Sequence, residues 1–592
     1  MGTRWLWIGL GGTTLLVACF VDPLSLVPQL RGSWFFDAER IRMLRWAVAG
    51  FGVALALVPQ LRRALSGEVR ASEGERGSRW SDLLFVAALA AMALALEWRE
   101  GPVSEDTKFY LGEALDIAER GGLGTFVASC LDGSWAEDNR HPLYLMLLAP
   151  WAERTNSMLV ASKLVSFVGA ALTLLAVLRA CRRRGGELAA LAGGALLVTN
   201  ASFVEFSVLT ACESWWTLFA VLALDLASRA GEDRSPLRWL GVGLCLGLAF
   251  LTKGTGVLLT LAIGLAVLWN LRRSSWRALV PLGAGFALGG LLLLVRNQLR
   301  HGDALFNVNS RRGFWLDRWE QFYDAEALSN ASASAWFERH SIGDAFARFA
   351  SGLVKQAAHA VEATQVVAPG GIGAFLGALV LLALTLGLLR LGNRRERATL
   401  GLVLALWIAS FAWYAQIASD HRFLAVLVPL LAPALASWTG RATESTRRKL
   451  RFVLIGFTAT CVVVSLAPAL RFARPLGFGG ARESRELHAW LLERESAGRD
   501  VIYLLGPSSS VGFDWDRSLL ATRAPRPVDD AALERLLASS EGEDVRYLIV
   551  EVDEPAQRAG SHWPHEPGHE PPGWQLVAAF PASSPQVFVY SR

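Results

Sequence analysis

Long apolar runs recur along most of this chain and constrain its fold more than any other feature. A helix needs about 20 consecutive apolar residues to span a bilayer. Of the 592 residues, 53% are hydrophobic and only 19% are charged. We therefore predict an α-helical polytopic membrane protein with about thirteen spans. The runs are residues 5–22, 44–60, 81–98, 157–180, 187–203, 207–228, 238–251, 254–271, 277–295, 371–390, 398–418, 422–438 and 452–470.

Arginine-rich loops between these runs set the predicted orientation, because positive residues accumulate in cytoplasmic loops. All of them fall on one side only if HPLYLMLLAPW (141–151) does not cross the membrane, and it is too short to span. Loops 99–156 and 297–370, a turn near residue 420 and everything after 470 are then external. The basic loops are 61–79, 179–186, 228–238, 271–277, 390–397 and 441–451. Since the net charge of +5 resides in these loops, no nucleic-acid partner is expected.

The tail from residue 471 changes character. VIYLL (501–505) and VRYLIVEV (545–552) are typical of buried strands, with ALERLLASS (532–540) as a helix between them. WQLVAAF and QVFVYSR predict two more strands, and GPSSSVG is interpreted as a strand-to-helix turn. We expect a small external α/β domain here. It follows two additional N-terminal spans with a basic cytoplasmic loop (1–79) and a transmembrane core (80–470).

Ionisable residues cluster at the predicted outer ends of the spans. Such residues are costly near the membrane, so they usually serve a site or reach water. Each has a structural alternative, either as an acid favoured by a helix dipole or as an anchor that snorkels to the interface. Because acids and cations from several spans meet at one face, we predict a functional site there. The candidates are Glu105, Asp106, His141, Lys163, Glu205, Glu213, Lys253, Arg296, His421 and Arg422.

Four motifs, in this order, resemble the GT-C superfamily of integral-membrane glycosyltransferases, which use lipid-linked sugars. DTKFYLGEALDIAERGG has Asp-x-x-x-Tyr opening a helix, and His-Pro-Leu-Tyr, Leu-Thr-Lys-Gly and Arg-Phe-Leu…Pro follow. The resemblance covers roughly residues 80–470, and the superfamily includes bacterial protein mannosyltransferases and aminoarabinose lipid A transferases, which the chain resembles. The chain has Asp106-Thr107 where many members have Asp-Glu, and His141-Pro142-Leu143 where many have His-Pro-Pro. Two spans precede the usual first one.

The resemblance implies a polyprenyl-phosphate sugar donor, a protein, lipid or glycan acceptor, and a site at the outer face of a bacterial cytoplasmic membrane. Transfer needs a base for the acceptor hydroxyl, and Asp106 is the candidate, with Glu105 beside it. The leaving phosphate needs fixed positive charge, for which Lys253 and Arg422 are the main candidates. The further predicted substrate-binding residues are Tyr110, His141, Lys163, Glu213 and Arg296.

Several alternatives stay open. A divalent metal is one, since Asp106, His141, His301 and His421 are ligand types on the outer side, although their spacing is not that of a metal motif. A transporter or flippase for a lipid-linked or anionic substrate is the alternative function; it predicts charges near mid-membrane, interrupted helices and internal symmetry. A non-catalytic assembly protein is a third. The segment GGIGAFLG (370–377) opens a span, so we interpret it as close helix packing.

The topology gives the first testable prediction. Reporter fusions at residues 75 and 185 should be cytoplasmic, and those at 130, 330 and 580 external, because only this threading keeps every basic loop inside. A cytoplasmic reporter at 130 or 580 would overturn both the topology and the placement of the site.

Overall fold

The structure is a computed structural model. The predicted span 5–22, most of 44–60, the basic loop before residue 79, the segment GPSSSVG and the predicted helix 532–540 lie largely or wholly outside the residues it describes. The described residues are 10, 13–14, 45–50, 52–53, 79–99, 105–152, 158–233, 235–271, 276–322, 325–368, 371–391, 393–418, 420–439, 444–471, 501–505, 522–525, 546–552, 573–580 and 586–591.

The chain is mostly helical from residue 79 to 471. Each predicted span from residue 81 onward coincides with a helix, an arm of a helix or a helix pair, and the short segment 141–151 forms a helix as predicted. The helices are α1 (Arg79–Arg99), α2 (Glu105–Glu119), α3 (Gly122–Asp132), α4 (Pro142–Ala152), α5 (Met158–Thr199), α6 (Ala201–Val208), α7 (Glu213–Asp233), α8 (Pro236–Thr252), α9 (Gly256–Leu271), α10 (Trp276–Gly289), α11 (Leu291–His301), α12 (Val308–Arg311), α13 (Ala325–Asn330), α14 (Ala333–Arg339), α15 (Ile342–Ala363), α16 (Ile372–Leu389), α17 (Arg394–Tyr414), α18 (Arg422–Ala425), α19 (Leu427–Thr439) and α20 (Glu444–Arg471).

Within the described residues, four helices are long and apolar enough to span a bilayer: α5, α16, α17 and part of α20. The number rises to six if each of two bent pairs is one span, α6 with α7 (119°) and α10 with α11 (77°). Several shorter apolar helices, among them α4, α8 and α9, accompany them. The predicted total of about thirteen spans stays a prediction.

Helix α5 is a hairpin of two arms. Its 42 residues would make about 63 Å of straight helix, twice the thickness of a bilayer core. The backbone leaves the helical conformation at Gly185 and Gly186, where Gly186 has φ 74°. A Cβ atom at Gly193 would lie 2.7 Å from the sulfur of Cys181, so the second arm packs back on the first. The two spans predicted over 157–180 and 187–203 are therefore the two arms.

Helices α8 and α10 pack through glycines. A Cβ atom at Gly243 would lie 1.9 Å from the carbonyl oxygen of Leu282, and one at Gly285 would lie 2.1 Å from that of Leu240. Such small residues let two backbones approach within a membrane. In GGIGAFLG, a Cβ atom at Gly373 would lie 2.6 Å from the carbonyl oxygen of Val366, so this glycine lets α16 approach the non-helical segment that precedes it.

Two apolar clusters hold the helices together. The main core joins α1, α5, α7, α8, α9, α17 and α19 around side chains such as Trp216 and Trp407. The second core packs α2, α3 and α4 against the ends of α5, α8 and α11, around Tyr144 and Phe250. Three of the candidate site residues, His141, Lys253 and His421, lie in segments between these helices.

The tail contains a five-stranded sheet in the order β2-β1-β3-β5-β4. Strands β1 and β2 are parallel, as are β1 and β3, whereas β5 is antiparallel to both β3 and β4. The four predicted strands are present, and β2 is an addition that the sequence pattern did not indicate. The strands are β1 (Val501–Leu505), β2 (Thr522–Pro525), β3 (Tyr547–Val552), β4 (Gln575–Phe580) and β5 (Gln586–Ser591).

The glycine contact between α8 and α10 gives a testable prediction. Gly285→Ala should lower the melting temperature in detergent, because overpacking a tight contact costs about 1–3 kcal/mol. Gly283→Ala on the same helix is the control, since a Cβ atom there meets nothing within 4 Å. Equal melting temperatures for the two variants would mean that the contact is not tight.

Candidate active site

Four of the predicted site residues lie at helix ends. Asp106 lies in the first turn of α2, Glu213 begins α7, Lys253 follows α8 and Arg422 begins α18. These four lie close together although they are far apart in the chain. The side chain of Glu105 lies outside the described residues.

Asp106 is held by two arginines. One carboxylate oxygen, Oδ2, accepts a hydrogen bond from Arg422 Nη1 at 2.5 Å, and Oδ1 lies 3.6 Å from Arg140 Nη2. Burial alone would raise the pKa of Asp106, but the Arg422 and Arg140 guanidiniums outweigh it and hold this pKa below its ordinary value. The carboxylate is therefore ionised at neutral pH and able to accept a proton, with 31% of its side chain exposed.

The ion pair continues into a row of alternating charges. Arg422 Nε lies 3.3 Å from Asp420 Oδ2, and the backbone N–H of Arg422 donates to Asp420 Oδ1 at 2.9 Å. His421 Nδ1 lies 3.2 Å from Asp420 Oδ1, and its Nε2 lies 3.5 Å from Glu205 Oε2. The row ties α2, α6 and the start of α18 together at one end of the helices.

Lys253 and Arg422 converge on a small cavity. Lys253 Nζ donates to Glu213 Oε1 at 2.6 Å, and the side chain of Glu213 is only 4% exposed. The Lys253 ammonium lies 5.4 Å and the Arg422 guanidinium 5.5 Å from the ring centre of Phe423. Both residues line the cavity together with Glu213, Thr255 and aromatic side chains. Its volume of about 10 Å³ is enough for about one water molecule.

Tyr110 and His141 are two further predicted site residues, and both make buried contacts. The buried Tyr110 lies one turn after Asp106 and packs edge-on against Tyr144, with ring centres 4.9 Å apart. His141 uses both ring nitrogens: Nδ1 lies 2.7 Å from the Phe250 carbonyl oxygen, and Nε2 lies 3.1 Å from Asn307 Nδ2. Burial lowers the pKa of His141 to about 4, so the ring is neutral. A neutral ring that donates through Nδ1 and accepts through Nε2 satisfies both contacts.

Arg296 serves a different part of the fold. The side chain is buried in α11 and donates to the carbonyl oxygens of Trp135 and Glu137, at 3.0 and 2.7 Å, and to Asp138 at 2.5 Å. These contacts hold the loop that leads to Arg140, and they do not include Asp106. Lys163 is buried on the first arm of α5. The geometry favours a positioning role for Arg296.

Sequence reasoning did not single out Arg140, Asp420 or Asn307. Two of them lie next to stronger candidates in the sequence: Arg140 directly precedes His141, and Asp420 lies two residues before Arg422. Arginine and aspartate in polar loops are common, so the sequence alone did not separate them from solvent-exposed residues. Only the folded arrangement reveals their contacts.

A divalent metal stays a prediction, and the candidate ligands are engaged by other groups. Among the described residues, no group of three or more His, Cys, Asp or Glu side chains could hold a metal ion. Asp106 faces arginines, and both nitrogens of His141 are engaged by Phe250 and Asn307. His301 Nε2 lies 2.9 Å from Asp138, on the Arg296 side. What the arrangement offers is an ionised carboxylate, able to take a proton, beside two cations that could neutralise an anion.

Comparison with known sequences confirms the predicted resemblance. Residues 142–296 match the sequence model of the family described as dolichyl-phosphate-mannose-protein mannosyltransferase. The matched segment runs from α4 to α11 and includes Lys253. No curated protein sequence matches the chain.

Several solved structures match the chain. ArnT from Cupriavidus metallidurans bound to undecaprenyl phosphate has 14% identity and a TM-score of 0.49, over 86% of this chain and 98% of that one. The Archaeoglobus fulgidus oligosaccharyltransferase in complex with Zn and sulfate has 13% identity and a TM-score of 0.44, over 78% and 68%. Arabinosyltransferase EmbB from Mycobacterium smegmatis has 15% identity and a TM-score of 0.34, and the match covers 73% of this chain and 45% of that one. No residue role is transferred at this level of similarity.

The positioning role of Arg296 is testable. Arg296→Lys should lower the melting temperature, because one ammonium cannot replace the planar fork, and each charged hydrogen bond that is not re-formed costs about 1.5–3 kcal/mol. Arg300→Lys is the control on the same helix, since Arg300 is 35% exposed and lies 3.8 Å from the same Asp138. Similar melting temperatures for the two variants would mean that the planar guanidinium of Arg296 is not needed to hold this loop.

Proposed function

We propose that this chain is a glycosyltransferase that moves a sugar from a polyprenyl-phosphate donor to an acceptor hydroxyl at the outer face of a bacterial cytoplasmic membrane. One observation carries the proposal: the ionised carboxylate of Asp106 pairs with Arg422, and Arg422 lines one small cavity at the helix ends together with a second cation, Lys253. The match of residues 142–296 to a family named for transfer from dolichyl phosphate supports the same class of donor.

In the proposed reaction Asp106 takes the proton of the acceptor hydroxyl as that oxygen attacks the anomeric carbon of the donor sugar. A glycosidic C–O bond forms, and the bond between the anomeric carbon and the lipid phosphate breaks. The leaving group is a lipid phosphate anion, which Lys253 and Arg422 stabilise. A positioned base contributes about 10²–10⁴-fold to such a reaction. Fixed cations in a water-poor site act in addition to it.

The cavity between Lys253 and Arg422 is too small for the proposed donor. At about 10 Å³ it admits no sugar phosphate, so the donor must separate Arg422 from Asp106 or move the surrounding aromatic side chains. A phosphate oxygen competes directly with Asp106 for the guanidinium, since arginine binds both groups through the same planar fork. Donor binding then frees the Asp106 carboxylate to face the acceptor. Glu213 keeps Lys253 in place throughout.

In this proposal residues 80–470 form the catalytic core, with external loops 99–156 and 297–370. Residues 1–79 add two spans and a basic cytoplasmic loop, and 471–592 form an external α/β domain. Glu105, Tyr110, His141, Lys163 and Arg296 complete the proposed site, with His141 and Arg296 shaping the loop that carries Arg140.

A transporter or flippase is the second candidate. The bent pairs α6–α7 and α10–α11 are interrupted helices, which a transporter also predicts. The described charges that contact Asp106 lie at helix ends rather than mid-helix, which favours a transferase. Movement of a lipid-linked sugar between leaflets by an Asp106→Asn protein, at the rate of the unaltered chain and without transfer, would favour the transporter.

The role of Asp106 gives a testable prediction. Asp106→Asn keeps the size of the side chain but removes the proton acceptor, so turnover should fall about 10²-fold or more. Glu105→Gln should be milder, because successive helical residues point about 100° apart and cannot both face one acceptor. Transfer rate and melting temperature are measured in detergent for both variants.

The control for this test is Asp116→Asn, which removes a carboxylate that is 49% exposed on the same helix. It should leave transfer unchanged. A stable Asp106→Asn enzyme with near-normal turnover would end the assignment of Asp106 as the base.

Lys253 is tested together with its partner. Lys253→Gln alone leaves the buried Glu213 carboxylate without its ammonium partner, and breaking a buried pair in this way costs about 3–5 kcal/mol. The double variant Lys253→Gln/Glu213→Gln removes both charges and should regain stability, whereas transfer should stay low. Melting temperature and transfer rate are measured for both, together with Glu213→Gln, which keeps Lys253 and should transfer faster than the double variant.

Lys449→Gln serves as the charge control, because Lys449 is exposed on α20. Recovery of transfer in the double variant would show that Lys253 only balances Glu213 and has no part in stabilising the leaving group.

A further inference from the structure

A second cavity lies away from Asp106 and shares no residue with the proposed site. Its volume is about 540 Å³, within the range of about 300–1,000 Å³ found for ligand pockets. Helices α5, α7, α8, α9, α17 and α19 enclose it. Its inner wall is apolar and includes Val221, Ile263, Val267, Leu400 and Leu430.

The cavity lies near the opposite end of the helices from the site. The first arm of α5 carries Lys163 near one end and Arg184, which lines the cavity, 21 residues later. At 1.5 Å per residue this is about 32 Å along the helix, close to the thickness of a bilayer core. Since Arg184 belongs to the basic loop 179–186, the cavity opens at the face that the topology predicts to be cytoplasmic.

The mouth of the cavity carries an excess of positive charge. Arg184, Arg394 and Arg395 line it with two carboxylates, Asp225 and Glu396. Two further arginines also lie on Asp225. They are Arg183, at 2.5 Å, and Arg229, at 3.6 Å. Among the described residues, five guanidiniums therefore lie around these two carboxylates, which makes the mouth basic.

The acid side chains at the mouth are engaged by the arginines of the α5 turn. Arg184 pairs with Glu396 and lies 3.8 Å from Asp225, which links α5, α7 and α17. Arg394 and Arg395, at the start of α17, are both exposed. A ligand with an apolar part and an anionic head would match both the apolar inner wall and the basic mouth of the cavity.

We propose that this cavity binds an anionic phospholipid of the inner leaflet, with an acyl chain against the apolar wall and the phosphate on the arginines of the mouth. Arginine binds phosphate oxygens through two parallel N–H donors. Basic pockets between transmembrane helices at the cytoplasmic side bind anionic head groups in general. The lipid would brace α5, α7 and α17 at the face opposite the proposed transfer site, and the proposal does not depend on that function.

Retention of lipid by the full chain tests the proposal. The protein is purified in detergent, given equal amounts of phosphatidylglycerol and phosphatidylcholine, and examined by native mass spectrometry and thermal melting. We expect preferential retention of phosphatidylglycerol and a larger rise in melting temperature with it. Arg394→Ala/Arg395→Ala should lower its retention about fivefold or more. Ala266→Phe fills the cavity, where Ala266 is 4% exposed, and should lower retention without any change of charge.

The matched control is Arg448→Ala/Lys449→Ala, which removes two exposed positive charges of α20 that do not line the cavity. It should retain phosphatidylglycerol as the unaltered chain does. Equal retention of the two lipids, an equal loss in the control, or full retention by Ala266→Phe would overturn the proposal. So would inorganic phosphate that alone reproduces the whole rise in melting temperature, since the site would then bind free phosphate rather than lipid.

Discussion

The ion pair between Asp106 and Arg422 is the interaction on which the rest of the candidate site depends. The two residues are 316 positions apart in the chain and meet at 2.5 Å. A carboxylate at the edge of a membrane is costly unless it is paired. Without the arginines, burial would raise the pKa of Asp106 and favour its neutral form, which cannot accept a proton. The pair thus keeps the proposed base ionised. In the proposal, the donor phosphate takes the place of Asp106 on Arg422.

The packing of the helices brings these charged residues together. Asp106 comes from α2, which the second core holds against α4, and Arg422 comes from the start of α18, beside the main core. His141 and Arg296 use their hydrogen bonds on backbone carbonyls and loop side chains, so the loop that carries Arg140 stays in register with Asp106. Glycine contacts such as Gly285 on Leu240 let α8 and α10 approach closely, and Lys253 directly follows α8. The site is therefore a product of helix ends rather than of any single motif.

Much of this could be predicted from the sequence because hydropathy and charge act locally. The apolar runs predicted the helices, and the arginine loop at 179–186 predicted a reversal that the structure places at Gly185 and Gly186. The pairing of particular charges was out of reach: the sequence made Lys253 a candidate cation for the leaving group, with a snorkelling anchor as the alternative, and did not indicate that it pairs with Glu213. Strand β2 was missed because Thr522–Pro525 is short and polar and is paired only by its neighbour β1. Tertiary contacts decide such cases, and a single sequence does not contain them.

The central claim is that this chain transfers sugar from a lipid phosphate. The most direct measurement incubates membranes that contain the chain with a panel of radiolabelled polyprenyl-phosphate sugars and identifies the labelled product. Membranes that contain the Asp106→Asn chain at equal abundance serve as the reference. The account predicts a new glycosylated product from at least one donor with the unaltered chain, and a product lower by about 10²-fold with Asp106→Asn. Equal labelling of the same product by both chains would contradict it, as would the absence of any product from a stably folded chain across the whole panel.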